Sequence, residues 1–290
     1  LPLKAREKYI MIKLEIPFLS LEQICDSGQC FRMQKEACGN YSLIASGRYL
    51  RAGQRERQLF LYCSQEEYET VWKSYFDLDT DYGRFLSAVN QDDPYLLEAS
   101  QSGCGIRILR QDIWEMIVSF LISQQNNIKR IRGCIDTVCR KYGEEKRTDE
   151  GTLYYTFPTP EALSQVSEEE FRACGLGYRS RYLVKTAQMA AGGEIDLDAL
   201  KKMDYLKARQ TLMLFSGVGE KVADCICLFA LHHLDSFPVD THIAKVMKEH
   251  YKEGFPFEEY KGFSGVLQQY VFYHDLIKGK KESGLPEVSR

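Results

Sequence analysis

The stretch ARQTLMLFSGVGEKVADCICLFALHHLDSFPVDTHIAKVM (208–247) decides how this chain is read. Two runs with helical apolar spacing, 205–214 and 220–231, flank Ser216-Gly217-Val218-Gly219, which predicts two helices joined by a tight turn. The glycines reach backbone conformations that other residues avoid and leave N–H groups uncovered by side chains. Gly217, Val218 and Gly219, followed by the positive end of a helix, make a seat for a phosphate that needs amides and a dipole rather than a basic surface. A Gly-x-Gly pattern is also an ordinary packing corner, so by itself it decides nothing.

Two residues around the turn add chemistry. Lys221 falls in the first turn of the second helix, where the dipole and partial burial disfavour an ammonium, and a neutral amine is a nucleophile. Asp240, in Phe237-Pro238-Val239-Asp240, falls at the start of the next helix, where a carboxylate caps amides and can still face a neighbouring site. Such a residue is more often only a cap. An amine set for covalent attack beside a carboxylate that steadies positive charge can nevertheless displace a base from a deoxyribose.

Outward from this segment, the chain divides. Residues 10–16 alternate apolar and polar until Pro17, and 41–46 and 58–64 repeat the pattern between turn-forming glycines, which predicts antiparallel strands. Helices are expected at 66–76 and 82–89. From residue 112 the strand signal fades, and helices are expected at 113–123, 128–142, 160–165, 168–173, 178–191, 197–201, 205–214, 220–231, 241–251, 257–260 and 263–276. The fold class is therefore α+β: an antiparallel sheet domain over 1–105, a helical domain over 106–277, and a polar mobile tail over 278–290.

Composition narrows the function classes. With 290 residues, 44% hydrophobic and 27% charged, the chain belongs with folded globular proteins. No apolar run reaches the length of a membrane span, and LPLKAREKYI lacks a signal-peptide core, so an intracellular protein is expected, in a nucleus or in a bacterial cytoplasm and nucleoid. The 38 basic residues against 41 acidic ones give a net charge of −3, so any DNA affinity must come from local chemistry. Ten Cys and five His complete no metal motif, and no metal or other cofactor is expected.

The string LFSGVGEKVADCICLFAL followed by FPVDTHIAKV resembles the helix-hairpin-helix DNA glycosylases that carry a Gly/Pro-rich loop and an Asp, over about residues 106–276. The resemblance implies that Lys221 marks the bifunctional branch, glycosylase plus β-lyase. The closely spaced cysteines of the iron–sulfur branch are missing after Cys227. Ser27-Gly28-Gln29-Cys30-Phe31-Arg32 narrows the resemblance to the 8-oxoguanine DNA glycosylases and extends it over the sheet domain. It implies that the Gly28 carbonyl meets the N7 proton that 8-oxoguanine has and guanine lacks. The same carbonyl would be repelled by the N7 lone pair of guanine.

Gln268 and Phe272, four apart on one helix face, match the residues that meet the Watson–Crick edge and stack on the ring. Cys225 matches the other side of the base sandwich; without the resemblance, Phe272 and Cys225 would count as core. The run ISQQNNIKRI (122–131) resembles the element that fills the hole left by the extruded base. Gln125 stands where relatives carry a wedge Asn, with Asn126 and Asn127 following. Arg130 and Arg179 match arginines that contact the orphaned cytosine, with Tyr178 at the gap; phosphate contact is the bland reading of both arginines.

The expected function is thus excision of 8-oxoguanine opposite cytosine from duplex DNA by a monomeric enzyme, through a lysine Schiff base. Two rivals stand beside it. One is a glycosylase for alkylated purines or oxidised pyrimidines; the other is a non-catalytic protein that uses the hairpin only to hold DNA.

Overall fold

Apolar–polar alternation from Ile10 puts one side of β1 (Ile10–Glu15) against a core, and β1 forms one edge of a five-stranded antiparallel sheet. The structure, a computed structural model, describes residues 10–282. The sheet continues with β2 (Met33–Lys35), β3 (Tyr41–Ala45), β4 (Arg48–Arg55) and β5 (Gln58–Cys63), in the order β1-β5-β4-β3-β2. Its register sets Ile12 beside Leu61, Leu61 beside Ala52 and Ala52 beside Tyr41, so one face is apolar across the strands. That face closes over Trp72, Tyr75 and Phe76, and over Leu21 and Ile24 of the helix Leu21–Asp26.

The strands expected at 10–16, 41–46 and 58–64 are present. β4 escaped the sequence reading because Arg48, Arg51, Gly53 and Arg55 mask the inward pair Leu50 and Ala52.

In the second part, helix Ile113–Ser123 is apolar all round, and its residues from Ile113 to Ile122 are buried. Helices Ile128–Tyr142, Ser180–Ala191 and Glu220–Phe229 pack on it. Three expectations need correction. A two-stranded hairpin, Glu145–Arg147 with Leu153–Tyr155, interrupts the helices, turned by Gly151 at φ +85°. Residues 257–260 are turns, since four residues hemmed by Pro256 and Gly262 are too few to propagate a helix. The last helix, Ser264–Glu282, runs past 277 into the expected tail; its lysines suit a helix C-terminus, and 283–290 lie outside the described residues.

Arg107 and Gln29 form a joint between the two parts. Arg107 is buried and donates to the carbonyls of Pro17 (3.1 Å), Phe18 (3.2 Å), Asp77 (2.8 Å) and Thr80 (3.0 Å). Gln29, beside Gly28, accepts from Leu109 N (2.9 Å) and donates to Arg107 O (3.0 Å), so the turn carrying Gly28 is tied to the segment that enters the helical domain. Phe31 then meets Phe120 edge-on at 5.7 Å, and Phe120 stacks on Phe229 at 5.6 Å.

Asp77 anchors the same joint. It stands 3.2 Å from His232, accepts from Arg110 Nε (3.0 Å) and from the Tyr82 hydroxyl (3.1 Å), and is 3% exposed. Burial alone would raise its carboxyl; His232, with Arg110 beside it, overcomes this and holds it at about 2. A depressed carboxyl stabilises the fold above its unfolded value near 3.8, and that contribution is lost as pH falls through about 2. Asp77→Asn is therefore expected to cost about 2 kcal/mol in urea unfolding at pH 7. The difference should shrink below pH 3.8 and nearly vanish at pH 2. A cost that stays constant with pH would assign the loss to packing instead.

Candidate active site

The hairpin forms as its sequence requires. Helix Tyr205–Leu212 ends at Met213, the chain turns through Ser216 to Gly219, and Glu220–Phe229 begins. Gly217 has φ +82°, and a Cβ there would come within 2.5 Å of the Tyr182 ring, so glycine is required twice over. Gly219 is different. Its φ of −95° suits any residue, and a Cβ would meet nothing within 4 Å. The fold does not require glycine there; the open space lies before a helix N-terminus that no side chain caps.

Asp224 locks the two hairpin helices together. It accepts from Arg209 Nε and the Tyr205 hydroxyl, each at 2.7 Å, while Ser236 Oγ donates to its carbonyl at 2.8 Å. Sequence reasoning passed over this residue, although its spacing of one helical turn from Glu220, which also pairs with Arg209 at 3.2 Å, was legible.

Lys221 is half-buried, with Nζ 5.5 Å from the centre of the Phe120 ring. Cys225, one turn further along the same helix face, is buried; burial pushes its thiol up to about 11, opposed by the charge and hydrogen bond of Lys221 and reinforced by the charge of Asp240. These interactions place the amine, the thiol and the carboxylate in one electrostatic neighbourhood. Asp240 caps helix Thr241–His250, with Oδ1 accepting from Ile243 N at 2.9 Å. Its other oxygen has no hydrogen-bond partner among the described residues.

Gly28, expected to read a base, lies against Phe272, expected to stack on it. Gly28 turns at φ +73° after helix Leu21–Asp26, and the position of its missing Cβ lies 3.4 Å from Phe272 Cε1 and 4.0 Å from Ile128 Cδ1. Gln268 is 3% exposed and donates from Nε2 to Pro238 O at 2.9 Å, two residues before Asp240. The loop carrying Pro238 lies against the start of the last helix: Gly265 N donates to Leu234 O at 2.7 Å, and a Cβ on Gly265 would overlap the carbonyl of Ser236.

His242 was missed, although it follows Asp240 by only two residues. Its ring meets Phe272 edge-on at 5.5 Å, and Nδ1 lies 2.7 Å from Asp275. Burial would raise the Asp275 carboxyl, but hydrogen bonds from His242 and Lys245 carry it below the ordinary range.

The structure sorts the amides of the candidate wedge. Asn126 donates to Ile122 O at 3.1 Å, and Asn127 caps helix Ile128–Tyr142 through Arg130 N at 2.9 Å. Gln125 is exposed, holds φ +46° and makes no side-chain hydrogen bond among the described residues. A strained backbone with an unoccupied side chain is characteristic of functional loops. Neighbouring Gln124 donates to Gly217 O at 3.0 Å, joining this loop to the hairpin.

The two arginines separate. Arg130 is exposed, with one contact to Gly175 O at 3.3 Å. Arg179 is buried beneath the loop, its donors turned to the carbonyls of Gln124, Gln125 and Leu176, which leaves one N–H of five. In the chain by itself Arg179 thus supports the loop that carries Gln125. Tyr178 stays 40% exposed above it, its ring 4.6 Å from the Arg179 guanidinium. Among the described residues no group of three or more His, Cys, Asp or Glu is placed to hold a metal, and no helix is long and apolar enough to cross a membrane.

Residues 11–117 match the 8-oxoguanine DNA glycosylase N-terminal domain, and residues 118–254 match the HhH-GPD superfamily of base excision DNA repair proteins. An N-glycosylase/DNA lyase of Saccharomyces cerevisiae is 30% identical over 266 residues, covering 81% of this chain and 69% of its own length. The N-glycosylase/DNA lyase OGG1 of Arabidopsis thaliana is 32% identical over 249 residues, covering 82% and 68%. The Clostridium acetobutylicum 8-oxoguanine glycosylase/lyase, solved with double-stranded DNA containing cytosine opposite 8-oxoguanine, superposes with a TM-score of 0.86 at 33% identity, over 96% of this chain and all of that one.

Proposed function

We propose that this chain, which belongs to the 8-oxoguanine DNA glycosylase family of the HhH-GPD superfamily and is a DNA glycosylase with AP-lyase activity, removes its base through Lys221 and Asp240. Membership decides against the two rivals, a silent DNA-binding protein and a glycosylase for other lesions. What supports the assignment of the chemistry is one observation: the half-buried Lys221 amine stands 5.5 Å from the centre of the Phe120 ring at an uncapped helix start, one turn before Cys225 on the same helix face.

In this reading the duplex backbone lies against Gly217, Val218 and Gly219, where the space before Gly219 admits a phosphate to the helix N-terminus. The lesion nucleotide leaves the stack, and Gln125 enters the gap beside Tyr178. The extruded base lies between Phe272 and Cys225, its N7 proton on the Gly28 carbonyl and its Watson–Crick edge on Gln268. Exposed Arg130 meets the orphaned cytosine, while Arg179 shapes the loop from below.

Lys221 Nζ attacks C1′ as the C1′–N9 bond breaks, and the base departs with a proton. Asp240 stabilises the cationic sugar and shuttles protons. The C1′–O4′ bond then opens, O4′ taking a proton relayed by Asp240, and leaves a protonated imine between C1′ and Nζ; this imine acidifies C2′, and loss of that proton expels the 3′ phosphate. Water then releases the lysine. The chain acts as a monomer, and wherever it meets DNA, in a nucleus or a bacterial cytoplasm.

The test is borohydride trapping with the wild-type chain. A duplex with 8-oxoguanine opposite cytosine should give a covalent adduct in preference to one opposite adenine, and undamaged guanine should give none. Equal trapping of all three would remove both the lesion reading and the cytosine preference.

A further inference from the structure

Gln268 is followed by a second buried amide, Gln269, which the mechanism above does not use. Gln269 is 3% exposed and donates from Nε2 to Gln268 Oε1 at 3.0 Å, while its own Oε1 is buried with no partner. The donor–acceptor order of this chain follows from chemistry. Pro238 O can only accept, so the Gln268 atom 2.9 Å from it is the amide nitrogen; Gln268 Oε1 then faces Gln269, which must present its own nitrogen. A residue retained only for packing would not leave a buried carbonyl unsatisfied, since that destabilises the fold.

We propose that Gln269 is a specificity-determining positioning residue that fixes the amide of Gln268 in one of its two orientations. The inference rests on the proposed contact of Gln268 with the Watson–Crick edge. Held between Pro238 O and Gln269 Nε2, Gln268 keeps one oxygen lone pair and one N–H available. That pair suits a guanine-type edge, whose N1–H and exocyclic amine donate and whose O6 accepts. An adenine-type edge, with N1 accepting and N6 donating, needs the amide turned over. The turned amide would set oxygen against the Pro238 carbonyl and nitrogen against the Gln269 nitrogen, so both anchors oppose it.

The test compares single-turnover excision of 8-oxoguanine and 8-oxoadenine, which share the 8-oxo group and N7–H and so load Gly28 equally. Each rate is normalised to cleavage by the same variant of a duplex with a preformed abasic site, where no base is present. Gln269→Met should lower the 8-oxoguanine to 8-oxoadenine ratio about five- to tenfold, the worth of one orienting hydrogen bond. Gln269→Glu keeps the shape but donates only while protonated, so its ratio should fall as pH rises while the wild-type ratio stays level; it carries the test should the Met variant not fold. Wild-type ratios in both variants at every pH, with a lowered ratio in Gln268→Met, would overturn the role of Gln269. An unchanged ratio in Gln268→Met as well would instead remove the base-reading role of Gln268 on which the proposal stands.

Discussion

Lys221→Gln is expected to abolish the borohydride-trapped adduct and to slow strand cleavage at 8-oxoguanine on the order of 10³-fold or more. Glutamine keeps a polar side chain at this half-buried helix position, and no hydrogen bond that holds the hairpin together involves Lys221 among the described residues, so the hairpin should fold and bind DNA as before. What it lacks is a nitrogen lone pair free to attack C1′. Trapping measured by gel, with a binding isotherm on the same duplex, separates the two. An undiminished cross-link in this variant would mean that another amine is the nucleophile.

Asp240→Asn should slow base excision by about 10²- to 10⁴-fold, the range that a positioned proton-transfer group supplies. The choice of asparagine matters because Asp240 has a second task, capping Thr241–His250 through Ile243 N. Asparagine caps a helix about as well as aspartate, so stability and DNA affinity should hold while the negative charge is lost. The measurement is single-turnover excision beside thermal unfolding. Full excision activity in a folded variant would strip Asp240 of its chemical role and leave it a cap.

Much of this was legible before any coordinates, and what was missed has physical causes. The helices around the hairpin announced themselves through 3.6-residue spacing and through the glycines between them. β4 did not, because arginine stems can lie on a sheet while their charges reach water, and the apolar count falls below what a strand reading needs. Lys221 and Asp240 were singled out by their places at two helix starts, and Gly28 by the resemblance of the segment around it.

Gln124 and His242 were not found, because their contacts exist only across long sequence separations, and nothing in the sequence shows that Gln269 is buried beside Gln268. Gln124 reaches Gly217 and His242 reaches Asp275, and neither pairing has a local pattern. For Arg179 a local motif named the residue, but its bonds to the carbonyls of Gln124 and Gln125, more than fifty residues away, had no pattern in the sequence.

The ring of Phe120 meets Phe31 edge-on and stacks on Phe229, with the Lys221 amine 5.5 Å from its centre. A single benzene ring is thus bedrock for both the proposed lesion sensor and the proposed warhead. Selectivity and reactivity are consequently inherited together: transplanting the 27–32 segment from a cousin with a different substrate would disturb the footing of Lys221. New base preferences on this scaffold should therefore arise more readily through the last helix than through the sensor turn.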